Sequence, residues 1–307
     1  MFQVVRVDSR QAEAVEPLGT KRKFWFSDGG RRVLFKAEER GSGDDWAEKV
    51  ACELCGLLGL PHVRYELAEQ YDGPAYVRPG VVCETCAPKP LSLVLGNELL
   101  LKRDPAYPAE DKRRHKVSEH TVHAVVEVIG ALSPPADVWM AGVPLGIQTA
   151  LDVFVGYVML DARIANQDRH HENWAALRDG ERMRLAPTFD HGAALARNLT
   201  DEERKERLTT KDRNHTVSHF VRRASSAFYA RAEDTKSLRT LEAFVAFARA
   251  APNAAHAWLK SLEAVSIEAM QRVLAEVPKD RLSPTASEFT LELLILNQQR
   301  LNEEPLK

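Results

Sequence analysis

Residues 165–174 read ANQDRHHENW. From Asp168 through Arg169, His170, His171 and Glu172 to Asn173, every side chain can bind a metal, take up a proton or carry charge. A solvated helix face would space such residues at helical intervals, and an ordinary polar loop would carry more Gly, Ser and Pro. Asp168 and Asn173 have the spacing D-x-x-x-x-N. Asp190 follows at the end of WAALRDGERMRLAPTFDHG, which turns at Asp179-Gly180 and so predicts a short hairpin. Phosphoryl transfer from a nucleotide uses these parts: one carboxylate orients the attacking hydroxyl, and an Asn and a second Asp hold the metal. Such oxygen donors suit Mg²⁺. Each residue alone reads as a loop cap, a turn residue or a surface acid; their conjunction favours phosphotransfer.

Working outward, IQTALDVFVGYVMLDARIA before the loop and EHTVHAVVEVIGAL further back carry apolar residues at helical period. From Leu238 the chain reads as amphipathic helices, the last being ASEFTLELLILNQQRLNEE. Towards the N-terminus the pattern changes. FWFSDGGRRVLFKAEE predicts a hairpin about Asp28-Gly29-Gly30, and HVRYELAEQYDGPAYVRPG a second strand pair turning at Asp72-Gly73. Between them a helix is expected from Asp44 to Leu58, stopped by Gly59 and Pro61. The expectation is an α+β chain with a small β-rich N-lobe over 1–96 and a larger, mainly helical C-lobe over 97–307.

In the small lobe, Lys36 ends an apolar strand. A lone strand-end lysine is usually solvated, but a nucleotide phosphotransferase needs one there, held by a helix glutamate. Glu48 is the candidate partner, with Glu53 expected to face solvent. Upstream, LGTKRKFWF joins a glycine turn to a basic strand. Backbone N–H groups of a glycine loop can cradle phosphate, and Lys21 or Lys23 would add charge.

At 307 residues the length suits about two domains on a prior of roughly 150 residues each. A net charge of -2 gives no push towards nucleic acid or membrane. MFQVVRVDSR has no signal pattern, and LDVFVGYVML is shorter than a membrane span and contains Asp152. The expected location is cytoplasmic. Cys52/Cys55 and Cys83/Cys86 form two C-x-x-C pairs, a spacing that zinc sites use. Cys52 and Cys55 continue the apolar stripe of a helix, which favours core cysteines.

With GTKRKFW, LFKAEE, DDWAEKVACELCGLLGLP, GNELL, DVFVGYVMLDARIANQDRHHENW and LAPTFDHGAAL in view, the sequence resembles the HipA-like serine/threonine kinases. These have a two-lobed fold related to protein and phosphoinositide kinases. The resemblance covers most of the chain to about Leu195; the C-terminal helices match in character only. It implies ATP and Mg²⁺ as cofactors, with Asp168 orienting the acceptor hydroxyl and Asn173 and Asp190 binding the metal. Lys36 becomes the phosphate-binding lysine, Glu48 its partner, and Gly19, Thr20, Lys21 and Lys23 the phosphate loop. His170 would support the catalytic loop. Arg169 would pair with a loop acid or approach the γ-phosphate. HipA toxins carry an extra N-terminal subdomain that docks a DNA-binding antitoxin; the sequence has no room for it, so an antitoxin partner is not expected. DRHHEN fits the D-R-H-x-x-N of phosphoinositide kinases equally well, so a lipid or small-molecule acceptor stands beside protein Ser/Thr.

Three rivals remain in view. A metal hydrolase would use the adjacent His170, His171 and Glu172, but adjacent residues point apart and H-E-x-x-H is absent. A nucleotide-binding module without catalysis would lack one of Asp168, Asn173 and Asp190, and all three are present. Nucleic-acid binding through RKERLTTKDRNHTVSHFVRR is diluted by its acids. That charged stretch, within 200–223, is expected as a mobile loop or solvated helix that contacts the acceptor.

Overall fold

Asp28-Gly29-Gly30 turns the chain because both glycines take positive φ, 56° and 81°, which side-chain-bearing residues resist. The turn joins strand β3 (Lys23–Asp28) to β4 (Arg31–Ala37). The computed structural model describes residues 1–16, 22–38, 41–111 and 116–303. Strands β1 (Val4–Asp8) and β2 (Ala14–Val15) precede this hairpin, and β5 (Tyr65–Asp72) and β6 (Ala75–Glu84) form the second one. The six strands make one sheet in the order β1-β5-β6-β4-β3-β2. Its β1 edge is parallel to β5, a strand that the sequence pattern did not mark.

Helix α1 (Asp44–Leu58) packs on β5 and β6 and ends at Gly59, φ 72°, whose N–H returns to the carbonyls of Cys55 and Gly56. A Cβ at Gly59 would stand 1.8 Å from the carbonyl oxygen of Gly142, so glycine is needed there twice over. The two cysteines of α1 point different ways. Cys52 joins Leu34, Tyr65 and Cys83 under the sheet, while Cys55 faces the helical core.

A second, three-stranded sheet links the lobes: β7 (Ser92–Leu95), β8 (Ala175–Asp179) and β9 (Arg182–Leu185), with β8 in the middle. Around it lie α2 (Gly96–Arg103), α3 (Val122–Gly130), α4 (Asp137–Met140) and α5 (Ala150–Arg163). Then come α6 (Asp201–Thr209), α7 (Val217–Arg223), α8 (Thr240–Ala250), α9 (Pro252–Glu263), α10 (Ile267–Ala275) and α11 (Pro284–Glu303). Helix α5 is the axis of the larger lobe, buried from Val153 to Arg163 and packed by α3, α8, α9 and α11. Thr149 and Asp152 cap its start reciprocally. The architecture is two-lobed, β-rich first and mainly helical after. The charged stretch is helical, as α6 and α7, with Thr200 and Glu203 forming the α6 capping box. Among the described residues no helix is long and apolar enough to cross a membrane.

Candidate active site

The quoted loop begins where α5 stops. Ala165 takes φ 51° and the carbonyl of Ile164 accepts the N–H of Leu195, so the chain leaves the helix in a bent, fixed course. A fork then locks the loop from behind. Arg169, fully buried, donates from Nε and Nη2 to the two oxygens of Asp161 on α5, both at 2.8 Å. Its Nη1 donates to the carbonyl of Asn173 and to Thr188 Oγ1, both at 2.9 Å. Of the two roles open to Arg169, the structure gives the first, with a helix acid instead of a loop acid. His171 is also buried, with Nδ1 2.7 Å from the Tyr107 hydroxyl and its ring edge-on to His120.

These anchors leave Asp168, His170 and Asn173 on the front, where all three line a cleft of about 390 Å³ between the lobes. Asn173 Nδ2 donates to the carbonyl of Asp168 at 2.6 Å, closing the five-residue span on itself. The N–H of Glu172 donates to His170 Nδ1 at 3.1 Å, which makes Nε2 the protonated nitrogen; Nε2 stands 3.7 Å from Asp168 Oδ1. His170 and His171 therefore diverge, and among the described residues no three His, Cys, Asp or Glu side chains gather as a metal cage.

Asp190 follows the β8–β9 hairpin and lines the same cleft, with φ 60°, a conformation that a short polar side chain tolerates. Glu48 holds the backbone beyond it: Oε1 accepts the N–H of His191 at 2.8 Å and Oε2 that of Gly192 at 3.2 Å. The same carboxylate stands 3.9 Å from Lys36 Nζ. Lys36 in turn donates to Asp190 Oδ1 and to the Tyr65 hydroxyl, both at 3.1 Å. Glu53 pairs instead with Lys49 at 2.7 Å. Lys23 lies opposite Lys36 in the β3–β4 register and lines the cleft; Gly19, Thr20 and Lys21 lie outside the described residues.

Electrostatics favour a charged Lys36. Burial lowers its pKa, but Asp190, Tyr65 and Glu48 together outweigh this and hold it well above the usual lysine value. For Glu48, burial works against the anion, yet Lys36 and His191 keep its pKa below the ordinary carboxylate range. The cleft's deep wall is apolar, formed by Leu34, Val81 and Phe189, with Cys83 and Cys86 beside them. Burial pushes those thiols up to about 12 and about 11, so they stand as neutral, small side chains.

The oxygen donors Asn173 and Asp190, which line the same cleft, fit Mg²⁺, a hard ion commonly held by one or two carboxylates together with substrate phosphates. Nδ2 of Asn173 is committed to Asp168, which leaves its Oδ1 as the coordinating atom. Tyr65, Asp161 and His191 were missed in the sequence. Only Asp161 carried a signal, as an acid inside an otherwise apolar helix run.

No family model and no curated protein matches the chain. Among solved structures, a proinflammatory kinase of Helicobacter pylori, CtkA, matches with a TM-score of 0.69 and 18% identity, over 99% of this chain and 100% of that one. HipA of Shewanella oneidensis MR-1, solved with HipB and operator DNA, matches with a TM-score of 0.54 and 10% identity, over 93% of this chain and 64% of that one. The chain has the two-lobed fold of the HipA-like kinases.

Proposed function

We propose that the chain is an ATP- and Mg²⁺-dependent kinase that transfers the γ-phosphoryl group to a protein Ser/Thr hydroxyl, its own included. In this reading residues 1–96 form the N-lobe and 97–307 the C-lobe. One observation carries it: Asp168, Asn173, Asp190 and Lys36 line a single cleft, and Glu48 grips both Lys36 and the backbone after Asp190. Asp168 then accepts the hydroxyl proton or orients the hydroxyl for in-line attack, with His170 supporting the loop beside it. Lys36 neutralises phosphate charge from a position preset by Asp190 and Glu48, so little reorganisation is needed. Asn173 and Asp190 would hold Mg²⁺, which would supply positive charge to offset the negative charge that develops in transfer. The apolar wall at Leu34, Val81 and Phe189 suits a flat purine. Lys23, and Lys21 beside Gly19 and Thr20, are assigned to the phosphates.

The test is incubation of the pure protein with γ-labelled ATP and Mg²⁺, beside Asp168→Ala, read by label and intact mass. Label on the wild type alone is expected. ATP·Mg²⁺ binding without label, even with added Ser/Thr peptides, would move the acceptor to a lipid or small-molecule hydroxyl, or the chain to a non-catalytic nucleotide-binding module. Absence of both label and ATP binding would overturn the reading.

A further inference from the structure

A second cavity, of about 300 Å³, is lined by Gln167, the residue before Asp168. Helix α6 contributes Arg207 to it, α7 contributes His219, Phe220 and Arg223, and the turn between them Asn214 and His215. The catalytic loop supplies Gln167. Helix α6 is rich in acids, yet no carboxylate lines this cavity. Its polar lining consists of guanidinium, imidazole and amide groups.

Two features mark it as a site for an anion. The Arg207 guanidinium lies over the Phe220 ring, 5.3 Å from its centroid, and its buried Nε has no hydrogen-bond partner. Among the described residues neither Arg207 nor Arg223 pairs with a carboxylate, whereas Arg204, one turn earlier, is buried on the carbonyls of Ala196 and Arg197 and on Asp201. Glu206, beside Arg207 in the sequence, stands 3.5 Å from His215 Nε2. Guanidinium forks match carboxylate and phosphate oxygens, and two unpaired ones in a concavity repel each other until an anion enters. The position is equally telling. Asp168 lines the first cavity and Gln167 the second, and successive Cα atoms are about 3.8 Å apart. A peptide whose hydroxyl meets Asp168 advances by about 3.3–3.6 Å per residue, so the side chains flanking that hydroxyl are the ones this neighbouring cavity would take.

We propose that the Arg207–Arg223 cavity is the acceptor-recognition site, taking an anionic side chain that flanks the target hydroxyl of an acidic peptide. The proposal rests on the kinase reading for its direction, and its test separates the two. Fluorescein-labelled peptides carrying Ala at the acceptor position, flanked on each side by two Glu, two phosphoserine or two Gln residues, are titrated by anisotropy. The wild type and the double variant Arg207→Glu/Arg223→Glu are compared, with folding of the variant checked by urea unfolding. The same flanks around Ser are assayed for phosphotransfer.

The wild type is expected to bind one or both anionic peptides at least tenfold more tightly than the Gln peptide, and the double variant to lose that preference. The Glu and phosphoserine arms tell which anion is used. If the preference is absent, or survives in the variant, the proposal fails even where label is transferred. If the binding preference is present and lost in the variant but neither label nor ATP binding is seen, the site stands and the kinase reading falls. Should the reversal unfold the protein, Arg207→Gln/Arg223→Gln is judged by the same criteria.

Discussion

Glu48 on α1 accepts the backbone N–H of His191 at 2.8 Å, although the two lie 143 residues apart in the chain. The bond ties the helix that holds Lys36 to the strained turn that presents Asp190. Position of the cation and position of the carboxylate are thus set by one side chain.

Glu48→Ala should therefore damage stability and binding together. It leaves a buried ammonium short of one partner and two buried N–H groups without acceptors, a change of about 3–5 kcal/mol for a broken buried pair. Urea unfolding and the Mg²⁺·ATP thermal shift measure the two effects. Glu48→Gln, which keeps one acceptor oxygen but no charge, should fall between wild type and Glu48→Ala on both. Equal unfolding free energies for Glu48→Ala and wild type would contradict this account.

Gly192→Ala tests the same turn from the other side. A Cβ there would lie 3.1 Å from the Asp44 carbonyl and 3.2 Å from Glu48 Oε2, so α1 or the turn must give way. Overpacking of this kind costs about 1–3 kcal/mol. Weaker ATP binding should accompany the loss, because Glu48 moves with α1. A variant as stable as wild type with unchanged ATP affinity would show that the contact has room.

Arg169→Lys separates a structural arginine from a phosphate-binding one. Lysine keeps the charge but cannot span both oxygens of Asp161 while also reaching Thr188 and the Asn173 carbonyl. Unfolding free energy should drop by about 2–5 kcal/mol, the range for breaking a buried hydrogen-bonded charge pair. Affinity for ATP per folded molecule should change less than threefold. A selective loss of ATP affinity without loss of stability would reopen the γ-phosphate role.

His120 predicts a pH dependence of folding. Burial drives its pKa down to about 3 from an ordinary 6.5, and both ring nitrogens are engaged, Nδ1 with the Ala227 carbonyl and Nε2 as acceptor from Trp174 Nε1. Between these values the unfolded chain takes up a proton that the folded chain refuses. Stability therefore falls as pH falls through this window, by about 1.4 kcal/mol per pH unit where the difference is a full proton. His120→Gln should remove that contribution, flattening the stability–pH slope between pH 6 and 5 in urea unfolding. Parallel slopes for wild type and variant would refute the assignment.

Much of this molecule is written locally. The turns at Asp28-Gly29-Gly30, Asp72-Gly73 and Asp179-Gly180, the helix from Asp44 to its glycine stop, and the loop from Asp168 to Asn173 all follow from dihedral preferences, caps and periodicity. Those act over a few residues and can be read in any short window. Strand β1 escaped such a reading because its partner, β5, is parallel and distant in sequence. The choice among similar side chains was decided elsewhere. Glu48 and Glu53 share a helix, but five residues at 3.6 per turn send them to different sides, one to Lys36 and one to Lys49. Arg204 and Arg207 share a turn of α6, yet one is consumed by backbone carbonyls and the other faces a cavity. Tyr65 and Asp161 gain their roles only when the sheet and α5 close around Lys36 and Arg169. Sequence alone determined which groups were available and on which local element each would sit. Tertiary structure decided which partner each one meets, because a buried charge is stable only where the packed chain brings its counter-charge within hydrogen-bonding reach.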